Sequence, residues 1–379
     1  MSRVGAWVIH LLAVSVCAGS ISACTEAVPG SLVQTLESID QDLTQLRAAE
    51  ISPDDYAHFA HQWMALKARF DAEEDAIRWP WEENDFEQAL RRLEDEGRRT
   101  VERVTEQREI LRRSAKDQLV RVQEQSRTMA SRVSMIDSRL VLGQKPVETD
   151  LLVAQARSFY EQAQYAESLR ASEQAMRQLV DQASLLSREL GRYANRERIM
   201  LWQQMVKETV DWSREHRSSA IVVSKADRLL TLYRNGQKVL AYSVRLGFNG
   251  IREKLYQGDG ATPEGRYRVV GKRGQGQTQF YRALVLDYPN AEDRKRFVSQ
   301  QKIGHLPRSR SIGGQIEIHG IENGLMAQTL GCIMLDNPQM SSLFNRVDKG
   351  TPVTIVGALH ERNSVALVLA DLTGRRNEI

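Results

Sequence analysis

Cysteine is scarce in this chain of 379 residues: Cys17, Cys24 and Cys332 are all it has. Three thiols so far apart exclude a disulfide scaffold or a cysteine-rich metal ribbon, which need several at short spacing. Histidine is also sparse. His58, His61, His216, His305 and His360 form no ligand spacing with carboxylates or cysteines, and His58 and His61, three apart, flank the apolar face of a helix; no metal site and no cofactor are expected. Charge of one sign is not in excess, since 52 Lys and Arg oppose 49 Asp and Glu for a net +3. With no basic patch interleaved with aromatics, nucleic acid is excluded as a partner. What remains is an ordinary globular composition, 41% hydrophobic and 27% charged, long enough for two to three domains.

Long apolar runs are missing too, save Ala6 to Val16, which follows Arg3 and precedes Ala18, Gly19, Ser20, Ser22 and Ala23. That is the layout of an export signal, and its apolar core is too short to span a bilayer. Ile21-Ser22-Ala23-Cys24 resembles a bacterial lipobox, which implies removal of most of residues 1–24 and lipid on Cys24. Ordinary cleavage near Cys24 and a retained anchor are the alternatives. Thr25, where an aspartate is absent, favours by the same resemblance the outer over the cytoplasmic membrane, with the protein facing the periplasm.

With Cys17 in the signal and Cys24 lipidated, Cys332 is left as a lone thiol in an oxidising compartment, a candidate nucleophile. Its counterpart is His319, at the end of the alternating run Ile316-Glu317-Ile318, which reads as a buried strand. A histidine beside a cysteine can take its proton, and the amides of Gly331 and Cys332 are candidates for an oxyanion hole. Spacing alone leaves a second reading open: Cys332 as a small buried hydrophobe and His319 as a hydrogen-bonded core residue.

Residues 25–214 are low in glycine, with apolar positions at threes and fours, and predict an all-helical domain. Ser52-Pro53-Asp54-Asp55 starts a helix, and Trp79-Pro80-Trp81 ends it. From Leu90 to Leu140 one apolar seam persists, predicting a coiled-coil arm or hairpin closed near Gly143 to Pro146, its arginines forming a solvated face. Leu151 to Leu179 resembles one tetratricopeptide-type helix pair, expected to pack on the long helix rather than to offer a protein partner a groove. A further helix spans about Asn195 to Glu215. After the polar linker Arg214 to Ser219 the pattern turns to alternation, with strands at Ile221–Val223, Leu229–Tyr233 and Gln237–Arg245 and a hairpin turn at Asn235-Gly236. Residues 219–358 thus predict a β-rich domain, and 359–379 a C-terminal tail.

The order of pieces resembles the L,D-transpeptidase catalytic domain, or YkuD domain. The likeness rests on the opening hairpin, Thr262-Pro263-Glu264-Gly265, His319-Gly320, Thr329-x-Gly331-Cys332-Ile333 and the closing Gly350-Thr351-Pro352-Val353. Gly258-Asp259-Gly260 and Tyr288-Pro289-Asn290 with Asp293 resemble its YafK-like branch more narrowly. The resemblance implies a mostly antiparallel β-sandwich, with Cys332 as nucleophile, His319 as base, a carbonyl near Gly320 orienting the imidazole, and Thr329 and Gly331 flanking the site. Tyr281, Tyr288 and Met334 are expected substrate contacts. The implied substrate is a peptidoglycan stem peptide, which loses D-alanine to form a thioester that a neighbouring amine resolves.

Two departures stand out: Leu330 and Met334 occupy positions where many members carry histidine and arginine. They leave two other readings open, a hydrolase in which water resolves the same thioester, and a non-enzymatic envelope scaffold whose helical arm carries the function.

Overall fold

The computed structural model describes residues 30–73, 85–136, 139–321 and 329–373. The export signal with Cys24 and the Trp79-Pro80-Trp81 stop lie outside them. The chain divides into two compact units, Met1–Arg113 and Ser114–Ile379. Among the described residues no helix is long and apolar enough to cross a membrane.

In the first unit, α1 (Gly30–Gln45), α2 (Ala48–Ile51), α3 (Pro53–Glu73) and the start of α4 (Asp85–Met135) close on Leu36, Leu43, Phe59, Phe86, Leu90 and Leu93. Pro53 opens α3 with Asp54 and Asp55 in its first turn, and the Ser52 hydroxyl donates to Asp55 at 2.8 Å. The long seam is one helix of 51 residues, about 75 Å at 1.5 Å per residue. Its arginines lie on a solvated face paired along the helix, as in Arg91–Glu87 and Arg98–Glu94.

In the second unit, the end of α4, α5 (Arg139–Leu142), the antiparallel pair α6 (Lys145–Glu161) and α7 (Tyr165–Leu190), and α8 (Arg196–Glu215) precede the sheet. The helix pair packs on α4: Ser126 donates to Asp150 at 2.9 Å, and Leu119, Val122 and Met129 share a core with Ala156, Ala175 and Leu179. The segment read as a linker is a tight turn in which Ser218 N bonds Ser213 O at 3.1 Å.

Among the described residues eight strands follow: β1 (Ser219–Ser224), β2 (Leu229–Arg234), β3 (Gln237–Ser243), β4 (Gly265–Arg273), β5 (Ala283–Leu286), β6 (Glu317–His319), β7 (Ile333–Met334) and β8 (Pro352–Val356), ordered β3-β2-β1-β8-β4-β5-β6-β7. Only β1–β8 and β6–β7 are parallel, so the sheet is mostly antiparallel, and it curls at β4, where the register slips between Val269 and Gly271. Asn235 and Gly236, at φ 55° and 77°, form the expected two-residue turn. Ile221, Leu230, Leu284, Ile318 and Ile355 fill the core, with α9 (Ala291–Lys302) and α10 (Asn337–Phe344) in the connections.

Residues 359–379, read as a tail, contribute α11 (Ser364–Thr373), whose Val365, Val368 and Leu369 are buried with Leu186, Leu190 and Trp202. The Trp202 ring on α8 fills the space a side chain at Gly357 would need. Helices 114–215 and the sheet therefore share a core.

Candidate active site

The strand ladder sets the chemistry. Ala283 on β5 faces His319 on β6, and β6 runs parallel to β7 with Ile318 opposite Ile333. One step back along that ladder Cys332 stands beside Glu317, whose amide donates to Cys332 Sγ at 3.4 Å. Glu317 and His319, two apart on a strand, share a face. Cys332, Glu317 and His319 consequently line one cavity of about 650 Å³, together with Thr329 and Met334.

His319 Nδ1 lies 2.8 Å from the carbonyl oxygen of Gly320. A carbonyl only accepts, so Nδ1 carries the proton and Nε2 holds the lone pair. Nε2 is buried with no hydrogen-bond partner among the described residues, and Phe280 stacks on the imidazole at 3.6 Å between centroids. Burial holds the histidine below its ordinary pKa of 6.5, against the opposing bond to Gly320. Burial also pushes the Cys332 thiol up to about 11, opposed by the Glu317 amide and reinforced by the Glu317 charge. The thiol donates to Gln315 O at 3.5 Å. Both groups thus rest uncharged in one cavity, an arrangement suited to proton removal as the sulfur attacks rather than to a preformed ion pair.

The cysteine is held from behind. Gly331 sits at φ 131°, and a Cβ there would lie 2.6 Å from Ala261 O, so only glycine fits. Thr329 acts on the backbone of the cysteine: its hydroxyl donates to Cys332 O at 2.8 Å and fixes the turn. The loop bearing Ala261 is pinned by Asp259, which accepts from Lys254 Nζ at 2.6 Å and from the amides of Leu255, Tyr256 and Ala261. Beneath it Lys225, wholly buried, donates to Arg252 O and Thr262 O at 2.8 Å and to Glu264 at 2.9 Å. Arg192, from the turn after α7, pairs with the same carboxylate at 2.9 Å. Burial brings Lys225 down to about 8 against the pull of Glu264. For Glu264 burial works upward, but Lys225 and Arg192 outweigh it and hold the carboxyl below its usual range.

Of the residues expected from sequence, His319, Cys332, Thr329 and Met334 meet in the cavity, with Gly320 and Gly331 shaping it. Tyr281 and Tyr288 do not line it. Tyr288 is buried against Tyr267, its hydroxyl donating to Ile312 O at 3.2 Å, and Tyr281 stands against Gly320 under the Arg282 guanidinium. Sequence reasoning missed Phe280, one residue from the expected tyrosine, and Glu317, Lys254, Arg273 and Gln315. Glu317 was within reach, because strand alternation puts it on the face of His319. It is buried and pairs with Arg273 at 2.9 Å; burial raises its carboxyl and Arg273 opposes.

Residues 218–355 match the family model of the L,D-transpeptidase catalytic domain, YkuD. Solved structures similar to the chain include L,D-transpeptidases from Xylanimonas cellulosilytica (17% identity, TM-score 0.23, covering 36% of this chain and 60% of that one), Mycobacterium tuberculosis (20%, 0.21, 37% and 62%) and Mycobacterium smegmatis (15%, 0.22, 36% and 58%). The chain therefore spans about three fifths of each of these. No curated protein matches it.

Proposed function

We propose that this chain, whose residues 218–355 form a YkuD L,D-transpeptidase catalytic domain, is a cysteine acyltransferase acting on peptidoglycan stem peptides. One observation carries the reading: His319 has its Nδ1 proton committed to Gly320 and its Nε2 without a partner among the described residues, in the cavity that holds Cys332. Nε2 takes the thiol proton as Sγ bonds to the scissile carbonyl carbon. The C–N bond breaks, and the departing amine leaves with that proton. An acceptor amine then attacks the thioester and gives its proton to Nε2, which returns it to the sulfur. The amides of Gly331 and Cys332 are the oxyanion donors of this reading. Delivery to the wall through a lipid tether at Cys24 belongs to the same proposal.

The test is intact-protein mass spectrometry after incubation with a carbapenem and, separately, with purified muropeptides. A covalent adduct that disappears in Cys332→Ala is expected. A folded wild-type protein that forms no adduct with either would sink the reading.

Hydrolysis is the second reading, favoured by Leu330 and Met334, which line the cavity on either side of Cys332 and offer an amine acceptor no polar group. Net loss of cross-links or protein tethers among the muropeptide products would select it, and new cross-links would select transfer.

A further inference from the structure

The chain's small net charge hides an uneven distribution. Between Ala291 and Arg310 six Lys and Arg oppose two acids, a local +4 that exceeds the +3 of the whole chain, so the other residues sum to −1. Among the described residues only Arg296 of these cations is paired with an acid, Asp293, at 2.6 Å. Arg294, Lys295, Lys302, Arg308 and Arg310 are exposed and pair with no acid among the described residues.

The segment is folded into a lobe. Gln301, in the last turn of α9, donates from its amide to Pro307 O at 3.4 Å and Arg310 O at 3.3 Å, drawing Arg308 and Arg310 back toward Lys302. His305 ties in through its backbone N to Gln300 O at 3.0 Å. The lobe is also continuous with the cavity. Arg310 stacks on Tyr256 at 4.5 Å, Gln257 N bonds Ser311 O at 2.8 Å, and Gln257, Gly313 and Gln315 line the cavity that holds Cys332.

We propose that this basic lobe binds the carboxylate-bearing strands of a polymeric substrate beside the segment whose carbonyl reaches Cys332. The inference rests on the peptidoglycan reading and goes beyond it: the enzyme distinguishes wall polymer from a free peptide by a surface outside its cleft. Unpaired cations attract an extended anion over roughly a Debye length, about 8 Å at physiological salt, and raise its local concentration. An acidic polymer is favoured over a lipid surface because the lobe opens onto the cavity, so one molecule fills both. The aliphatic exposure, Val298 and Ile303, is too small to anchor a bilayer contact.

The test compares the full chain carrying Cys332→Ala with the same chain also carrying Arg294→Gln, Lys295→Gln, Lys302→Gln and Arg308→Gln. Both are sedimented with insoluble peptidoglycan, native or with its carboxylates amidated, over a range of salt. Binding about tenfold weaker for the charge variant is expected, with amidation weakening the parent alike and the variant no further. With Cys332 intact, both proteins should acylate equally fast on a soluble stem peptide. Equal sedimentation of the two proteins overturns the proposal. So does charge-dependent binding confined to phosphatidylglycerol vesicles, which would make the lobe a lipid-contacting surface. Failure of the catalytic reading shows separately, as absence of acylation by the soluble peptide in both proteins.

Discussion

His319 and Cys332 are both uncharged at neutral pH, which separates two kinds of reactivity. Alkylation needs the free thiolate, and a thiol pushed from 9.0 to about 11 holds about a hundredfold less of it at pH 7. Iodoacetamide should therefore label Cys332 about tenfold more slowly than an ordinary thiol, the smaller thiolate fraction being partly offset by a more nucleophilic sulfur, and labelling at the ordinary rate would contradict the burial of the thiol. In the proposed mechanism, acylation by a carbonyl donor uses the base instead. It should rise as His319 loses its proton below pH 6.5, stay level, and climb again only as the thiol ionises; His319→Ala should keep only the alkaline climb. Cysteine and histidine were legible because few residue types do this chemistry. Phe280, Lys254 and Arg273 were not, since a strand register and a loop path bring them in and no local pattern encodes either.

Among the elements, the loop under Gly331 depends on Lys225 more than any sequence pattern suggests. Lysine on a strand end reads as solvated, yet Nζ holds two carbonyls and Glu264 in the interior. Lys225→Met leaves that carboxylate with Arg192 alone and should cost about 3–5 kcal/mol, the usual loss when one partner of a buried pair is removed. Urea unfolding would measure it, and a loss under about 1 kcal/mol would show the network to be dispensable. Alternation and Asn235-Gly236 made β1, β2 and β3 readable. The sheet order was not, because β8 enters between β1 and β4 from the far end of the domain, and β7, two residues long, is too short for a periodicity to register.

For the whole molecule, the change of pattern at Ser219 marks where helices give way to strands, while the core runs across it. Trp202 on Gly357, Leu186 and Leu190 against α11, and Tyr193 donating to Ile251 O at 2.7 Å all bind the helices before Ser219 to the β-rich part of the chain. A chain beginning at residue 219 would expose those surfaces and is expected to aggregate or to lose cooperative unfolding. One beginning at residue 114 should keep a single sharp transition by circular dichroism. Equal behaviour of the two would refute the shared core. Composition revealed the helical and β-rich segments but not this sharing, because burial between distant segments leaves no periodic trace.

The partner that orients His319 is main chain. An orienting aspartate or asparagine can be erased by one codon change, whereas no substitution removes the Gly320 carbonyl, and a side chain there acts only by displacing it, since its Cβ would meet Asn337 Oδ1 at 2.6 Å. Inactivating missense variation in this half of the site should therefore concentrate on His319 itself and on changes that shift the backbone around it.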